Sequence, residues 1–295
     1  MRYNRLLINS LKTKVMLFAT PQKRAKNKLQ FHLDIEGKRI KEVETAKHLG
    51  VFLSNNFSWD SHVEEIVKEG SNRLNGLYKV NHVLDLKQKK NLAEGAILSR
   101  IHYAIEVVSS GSESTVRKLE SLKSKAARYV LGKSRKEWSK TEGYQQLNWL
   151  TVPQTAVEFS LRLFCKVLWT RQPEKVYKSI FDLENGTIRK ITDESVEGMT
   201  KLCRKSWKIR VLRYSSILPE FFYDVEPNSQ TFKTLLKSWV KVNIPKEGDD
   251  IYRGKKKKVE DDWLRLELKT WKNANEHNLA SGVEAEELLE QEDYG

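Results

Sequence analysis

The sequence predicts an α+β protein: a small antiparallel β part at the N-terminus, then a mostly helical body made of a three-helix bundle and a second helical region. Three observations lead there. Between residues 11 and 55, apolar and polar residues alternate, the period of a half-buried strand. Between residues 60 and 131, apolar residues recur every three or four positions, the period of a helix. Beyond residue 150 the helical period returns, separated by polar stretches.

Taken in order, Leu29 to Ile35 alternates, Glu36-Gly37 marks a turn, and Arg39 to Val43 resumes the alternation, so this is a hairpin. Lys47 to Leu53 reads as a third strand, with Gly50 marking a bulge or a close approach by another backbone. The first helix runs from about Asp60 to Tyr78, with Val63, Ile66, Val67, Leu74, Leu77 and Tyr78 at helical spacing. The second starts at Asp85, where Gln88 three residues on suggests a capping box. Its stripe is Leu92, Ala96, Ile97, Ile101, Ala104 and Val107. The third runs from about Ser114 to Leu131 and stops at Gly132. Val116, Leu119, Leu122, Ala126, Ala127 and Val130 form its apolar side. Helices this short bury such stripes against each other.

Residues 133–149 read as a polar connector. Residues 150–245 form the second helical region, with Ala156, Phe159, Leu163, Val167 and Leu168 at helical spacing. A loop covers 183–200, with a turn at Asn185-Gly186. Phe232, Leu235, Leu236 and Trp239 mark one more amphipathic helix. The expected organisation is therefore 1–55, 56–132, 133–149, 150–245 and a charged tail, 246–295.

The net charge of +14 is unevenly spread, since six acids and no Lys or Arg follow Val283. Such a positive excess costs self-repulsion unless a polyanion uses it, and nucleic acid is the partner it favours. A solvated basic surface and an anionic membrane surface are the alternatives. Cys165 and Cys203 each lack a nearby Cys or His, which argues against a disulfide framework and a zinc site. Arg2, Arg5, Lys12 and Lys14 interrupt any apolar run near the start, so no signal peptide is expected, and no run is long enough to span a bilayer.

The third helix carries the clearest chemistry. At about 100° per residue, Arg117, Lys118, Lys125 and Arg128 fall opposite its apolar stripe. Such a face suits phosphate backbones and reads no sequence; the bland alternative is a solvated face. Arg39, Lys41 and Lys47 project charge from the β part, either toward phosphates or as edge-strand lysines that discourage aggregation. Lys255–Lys258 suits a nuclear import signal, a nucleic-acid patch or a solvated linker.

Several segments, in order, carry a resemblance. They are Leu6-Leu7-Ile8-Asn9-Ser10-Leu11-Lys12-Thr13, Lys47-His48-Leu49-Gly50-Val51-Phe52-Leu53, Trp59 with His62, and Leu131-Gly132 after a basic helix. Further on come Leu147-Asn148-Trp149-Leu150-Thr151-Val152-Pro153, the stretch from Arg210 through Ser215-Ser216-Ile217-Leu218-Pro219, and Phe232-Lys233 with Leu236-Lys237. Over about 6–245 the chain resembles the palm edge, thumb and C-terminal region of non-LTR (LINE-like) retrotransposon reverse transcriptases. It departs from the family pattern where Asn148 replaces Gly, Thr151 replaces Pro, and Ser-Ser replaces Trp-Asn.

The resemblance implies that Lys12 lies near nucleotide phosphates, that 39–53 grips a primer end, and that the three helices form a thumb. It implies RNA or an RNA/DNA duplex as a sequence-independent partner, in the nucleus or cytoplasm, with no membrane. The family is an RNA-directed DNA polymerase using magnesium held by paired carboxylates. Met1 falls where the catalytic segment would already have ended. Asp249-Asp250 sits in a polar loop and Asp261-Asp262 opens a helix, where acids suit the helix dipole. No catalytic residue, metal site or cofactor is therefore assigned. The expectation is a non-catalytic nucleic-acid-binding fragment. The alternatives are a piece of an active polymerase, settled by an upstream Tyr/Phe-x-Asp-Asp, or a helical protein-interaction module.

Overall fold

The computed structural model describes residues 9, 12–27, 32–35, 37–190, 199 and 206–244. All belong to one unit that ends at Arg253. Lys255–Lys258, both aspartate pairs, Cys203 and the rest of the charged tail lie outside the described residues.

The fold is α+β, as expected. A short helix α1 (Pro21–Asn27) precedes strands β1 (His32–Ile35) and β2 (Lys38–Lys41), an antiparallel hairpin with Asp34 opposite Arg39. Val15 bridges to Glu42 beside it, and Arg24 pairs with Glu42. The single strand expected over 47–53 is instead a second hairpin, β3 (Thr45–His48) and β4 (Val51–Ser54). Leu49 and Gly50 form its turn with φ of 47° and 83°. Two successive positive φ values match the right-handed twist of paired strands, which is why Gly stands there. The close approach at Gly50 is made by a side chain, not by a backbone. A Cβ on Gly50 would sit 3.2 Å from the ring of Tyr103, whose hydroxyl donates to the Leu49 carbonyl.

Helices α2 (Asp60–Lys79) and α6 (Glu113–Leu131) run side by side in the same direction. Asp60 accepts from the Thr115 hydroxyl at 2.8 Å at one end, and Tyr129 donates to the Leu77 carbonyl at 3.2 Å at the other. Between them Gly70 brings the axes together: a Cβ there would meet Leu122 Cδ2 at 2.6 Å. α6 begins at its N-cap Ser112, whose hydroxyl accepts from Thr115 N–H, and stops at Gly132 with φ 63°.

The second predicted helix starts where expected, with Asp85 and Gln88 forming a reciprocal capping box on α3 (Leu86–Ala93). Its buried side differs from the expected stripe. A π turn at Glu94–Leu98 leads into α4 (Ser99–His102), and Ala104, left-handed at φ 55°, starts α5 (Ile105–Val108). Each wide turn or break rotates the downstream helix by about one residue, roughly 100°. Ala93, Ile97, Leu98, Ile101, Ile105 and Val108 are buried, whereas Leu92 and Val107 are exposed.

The connector expected over 133–149 contains a helix, α7 (Lys140–Gln146), capped by Ser139. Tyr144, Leu147 and Trp149 are buried in the same core as α2 and α6, because this stretch carries large apolar groups among its polar ones. α8 (Val152–Thr170) follows a capping box between Thr151 and Gln154. Its Val152 and Ala156 complete that first core, while Val157, Leu161 and Phe164 face a second. A helix buried on two sides carries no single stripe, so Leu163, expected inside, is exposed.

The second core is closed by α9 (Glu174–Ile180), the strand pair β5 (Phe181–Asp182) and β6 (Thr187–Ile188), α10 (Trp207–Ser215) and α11 (Gln230–Asn243). Asn185-Gly186 makes the β5–β6 turn inside the expected loop. Phe232, Leu236 and Trp239 of α11 are buried and Leu235 is exposed.

Candidate nucleic-acid interface

α6 places Arg117, Lys118, Lys125 and Arg128 on the side away from its packed stripe, along about 16 Å of axis. Two of the four are locally compensated. Arg117 pairs with Glu113 at 2.5 Å, one helical turn back, and Lys118 pairs with Glu64 of α2 at 3.0 Å. Among the described residues, Lys125 and Arg128 have no ion-pair partner; Lys125 is exposed and Arg128 half-buried. Past Gly132 the chain continues with Lys133, Arg135 and Lys136, all exposed. The sequence reading missed this extension, although three cations in four residues directly after the helix stop were the signal.

The other expected residues lie on separate elements. Lys12 is exposed but sits in a turn and not on a strand: the Asn9 carbonyl accepts from the N–H groups of Lys12 and Thr13 and from the Thr13 hydroxyl. Arg39 is on β2, 3.5 Å from Asp34 across the hairpin. Lys41 is exposed on the same strand. Lys47, on β3, stands over the cross-strand Phe52 ring at 5.2 Å. That hairpin packs on α2, and Phe52 N–H donates to His62 Nδ1 at 3.4 Å. The α6 set thus forms one surface, while Lys12, Arg39, Lys41 and Lys47 belong to the β part.

The motif residues behind the resemblance do folding work. Trp59 donates to Ser110 Oγ at 2.9 Å, and His62 is buried. Asn148, where the family pattern has glycine, is left-handed at φ 51°, a conformation that Asn tolerates better than most residues. Thr151, where the pattern has proline, caps α8. Arg210 is 2% exposed and reaches back to α5, donating to Ser109 Oγ at 2.6 Å and to the Glu106 carbonyl.

One charged residue escaped the sequence reading altogether. Lys123 lies in the middle of the α6 apolar stripe and is 1% exposed. Its Nζ donates to Thr155 Oγ1 at 3.3 Å and lies 5.9 Å from the Tyr144 ring centre. Burial pulls its pKa down to about 8, opposed by the more distant Glu120 and Glu158. Nearby, burial and then the fields of Lys123, Arg162 and Lys237 push His102 down to about 3, and its ring lies 5.3 Å from that of Phe159. Burial also lowers His62.

These histidines set an acid limit. Their folded pKa values lie below the unfolded value of about 6.5, so the unfolded chain binds more protons as pH falls from there toward about 3. Stability present above pH 6.5 is lost on acidification. The urea midpoint should drop between pH 7.5 and pH 5, and His102→Phe should lessen the drop; equal slopes in both proteins would refute the role of His102.

Among the described residues no three His, Cys, Asp or Glu side chains converge as metal ligands. No described helix is long and apolar enough to cross a membrane. Comparison with protein-family models, curated proteins and solved structures finds no match to this chain.

Proposed function

We propose that this chain holds nucleic acid by its phosphates, without reading sequence, as the non-catalytic C-terminal part of a LINE-like reverse transcriptase. The observation that carries the reading is the solvent face of α6, with Arg117, Lys118, Lys125 and Arg128 opposite a fully packed stripe. Lys133, Arg135 and Lys136 lengthen it. Tyr129 of α6 is buried, so the helix offers charge and not stacking, which suits the backbone of RNA or an RNA/DNA duplex. The left-handed Asn148 at the family's glycine position supports the relationship. The grip needs no cofactor. Nuclear or cytoplasmic residence, where such a duplex is met, goes with this reading.

The test is equilibrium binding of a labelled RNA/DNA hybrid across salt, without added metal. Counterion release gives a log–log slope near −0.9 per neutralised phosphate for duplex DNA, and of similar order here. Replacing Arg117, Lys118, Lys125 and Arg128 by Gln should weaken binding and make the slope shallower by as much as about four. An absence of binding at low salt, or a slope untouched by the four substitutions, overturns the reading.

A further inference from the structure

A second surface lies where α2 passes into α3, against the C-terminal end of α6. The short connection from α2 to α3 exposes four large apolar side chains within nine residues: Tyr78, Val80, Val83 and Leu86, with Val83 at 65% and Leu86 at 54%. Isolated exposed apolar residues are ordinary, but four on one short connection are a concentration of the kind found at interaction sites.

The connection is also held in shape. Val80 N–H donates to the Leu77 carbonyl and Val83 N–H to the Val80 carbonyl, both at 3.2 Å. The Asp85–Gln88 capping box fixes the far end. Tyr78 stands edge-on to Tyr129, ring centres 5.0 Å apart, and the Tyr129 hydroxyl is bonded to the Leu77 carbonyl. A patch ordered beforehand loses little conformational freedom on binding, which raises affinity for a given area.

Its charge names the partner. From Asn75 to Ala93 the cations are Lys79, Lys87, Lys89 and Lys90, and the single acid is Asp85. The Asp85 carboxylate already accepts from Gln88 N–H at 2.7 Å. Lys90 lies 4.0 Å from Glu94 and Lys89 is half-buried, which leaves Lys79 and Lys87 as the exposed cations beside the apolar residues. An apolar centre with a cationic rim complements an apolar stripe with acidic flanks.

We infer that the α2–α3 connection, through Tyr78, Val80, Val83 and Leu86 with Lys79 and Lys87 beside them, docks an acidic amphipathic helix of a partner protein. The probe is a labelled peptide in which leucine recurs every three or four residues among glutamates, titrated into the full chain and followed by anisotropy. Binding should be saturable and should weaken about tenfold or more in Val83→Ser/Leu86→Ser. Lys79→Gln/Lys87→Gln should weaken it less and reduce its salt dependence. All four positions are exposed, so the melting temperature should not move; if the double serine variant does unfold, Val83→Ser alone reads the same contact. The peptide with lysine in place of glutamate should not bind. Failure of the acidic peptide to bind, or binding indifferent to all these substitutions, overturns the inference. So does binding to phosphatidylserine vesicles without binding to the peptide, which would assign the patch to a membrane surface. The acidic peptide tests this docking surface, and the RNA/DNA hybrid with the α6 variants tests the proposed function, so failure of one is distinguishable from failure of the other.

Discussion

Replacing Lys123 by methionine is expected to stabilise the fold by about 3 kcal/mol at pH 7. The ammonium is buried beside a hydroxyl and an aromatic ring, with no carboxylate within ion-pair reach among the described residues. Its fall from an ordinary 10.5 to about 8 corresponds to roughly 1.4 kcal/mol per pKa unit. Methionine is similarly long and unbranched and fills the space without a charge to desolvate. The pH dependence checks the cause. Because the folded pKa lies below the unfolded one, between pH 8 and 10.5 the unfolded chain keeps a proton that the folded chain has released. Native stability therefore rises across that window, and the methionine variant lacks the rise. Urea unfolding at pH 7 and pH 10 measures both effects. A variant less stable than the native chain at pH 7 would mean that the contacts to Thr155 and Tyr144 outweigh the desolvation.

Replacing Arg210 by alanine is expected to cost about 3 kcal/mol or more. This guanidinium is carried by α10 in the second core but bonds to Ser109 and Glu106 at the end of α5, beside the first. Truncation removes the guanidinium's hydrogen bonds to the Ser109 hydroxyl and the Glu106 carbonyl and opens a cavity of several heavy atoms. Arg210→Lys keeps the charge, but a single ammonium on a flexible stem does not reproduce the forked geometry, so a substantial loss remains. Denaturation followed by tryptophan fluorescence measures both variants. A loss below about 0.5 kcal/mol for Arg210→Ala, the scale of ordinary surface changes, would show that the two cores hold together without it.

The α6 helix shows how much of this fold is legible in the sequence. Its stop at Gly132 and every residue of its expected stripe follow from local chemistry, since stop residues and the 3.6-residue period act over one or two turns, whereas its N-cap is Ser112, two residues before the expected start. The same rule passed over Lys123. A lysine in an apolar stripe counts as exposed until Thr155 and Tyr144, 32 and 21 residues further along, close over it. The second helix misled for a different reason. Its capping box is local and was read correctly, but the π turn at Glu94–Leu98 and the left-handed Ala104 reset the phase of everything after them. Arg210, visible as one residue of a family-like motif, gave no sign that it is buried against α5.

By itself the sequence determined the α+β class, the starts of the first two bundle helices, the stop of the third and the cations opposite the α6 stripe, because periodicity, capping and turn chemistry operate between near neighbours. Only the tertiary structure decided that residues 47–53 turn back as a hairpin, that α8 is covered on both sides, that Gly70 lets α6 approach α2, and that Lys123 and Arg210 are interior. Those outcomes depend on which surfaces meet across tens of residues, and no local period encodes that.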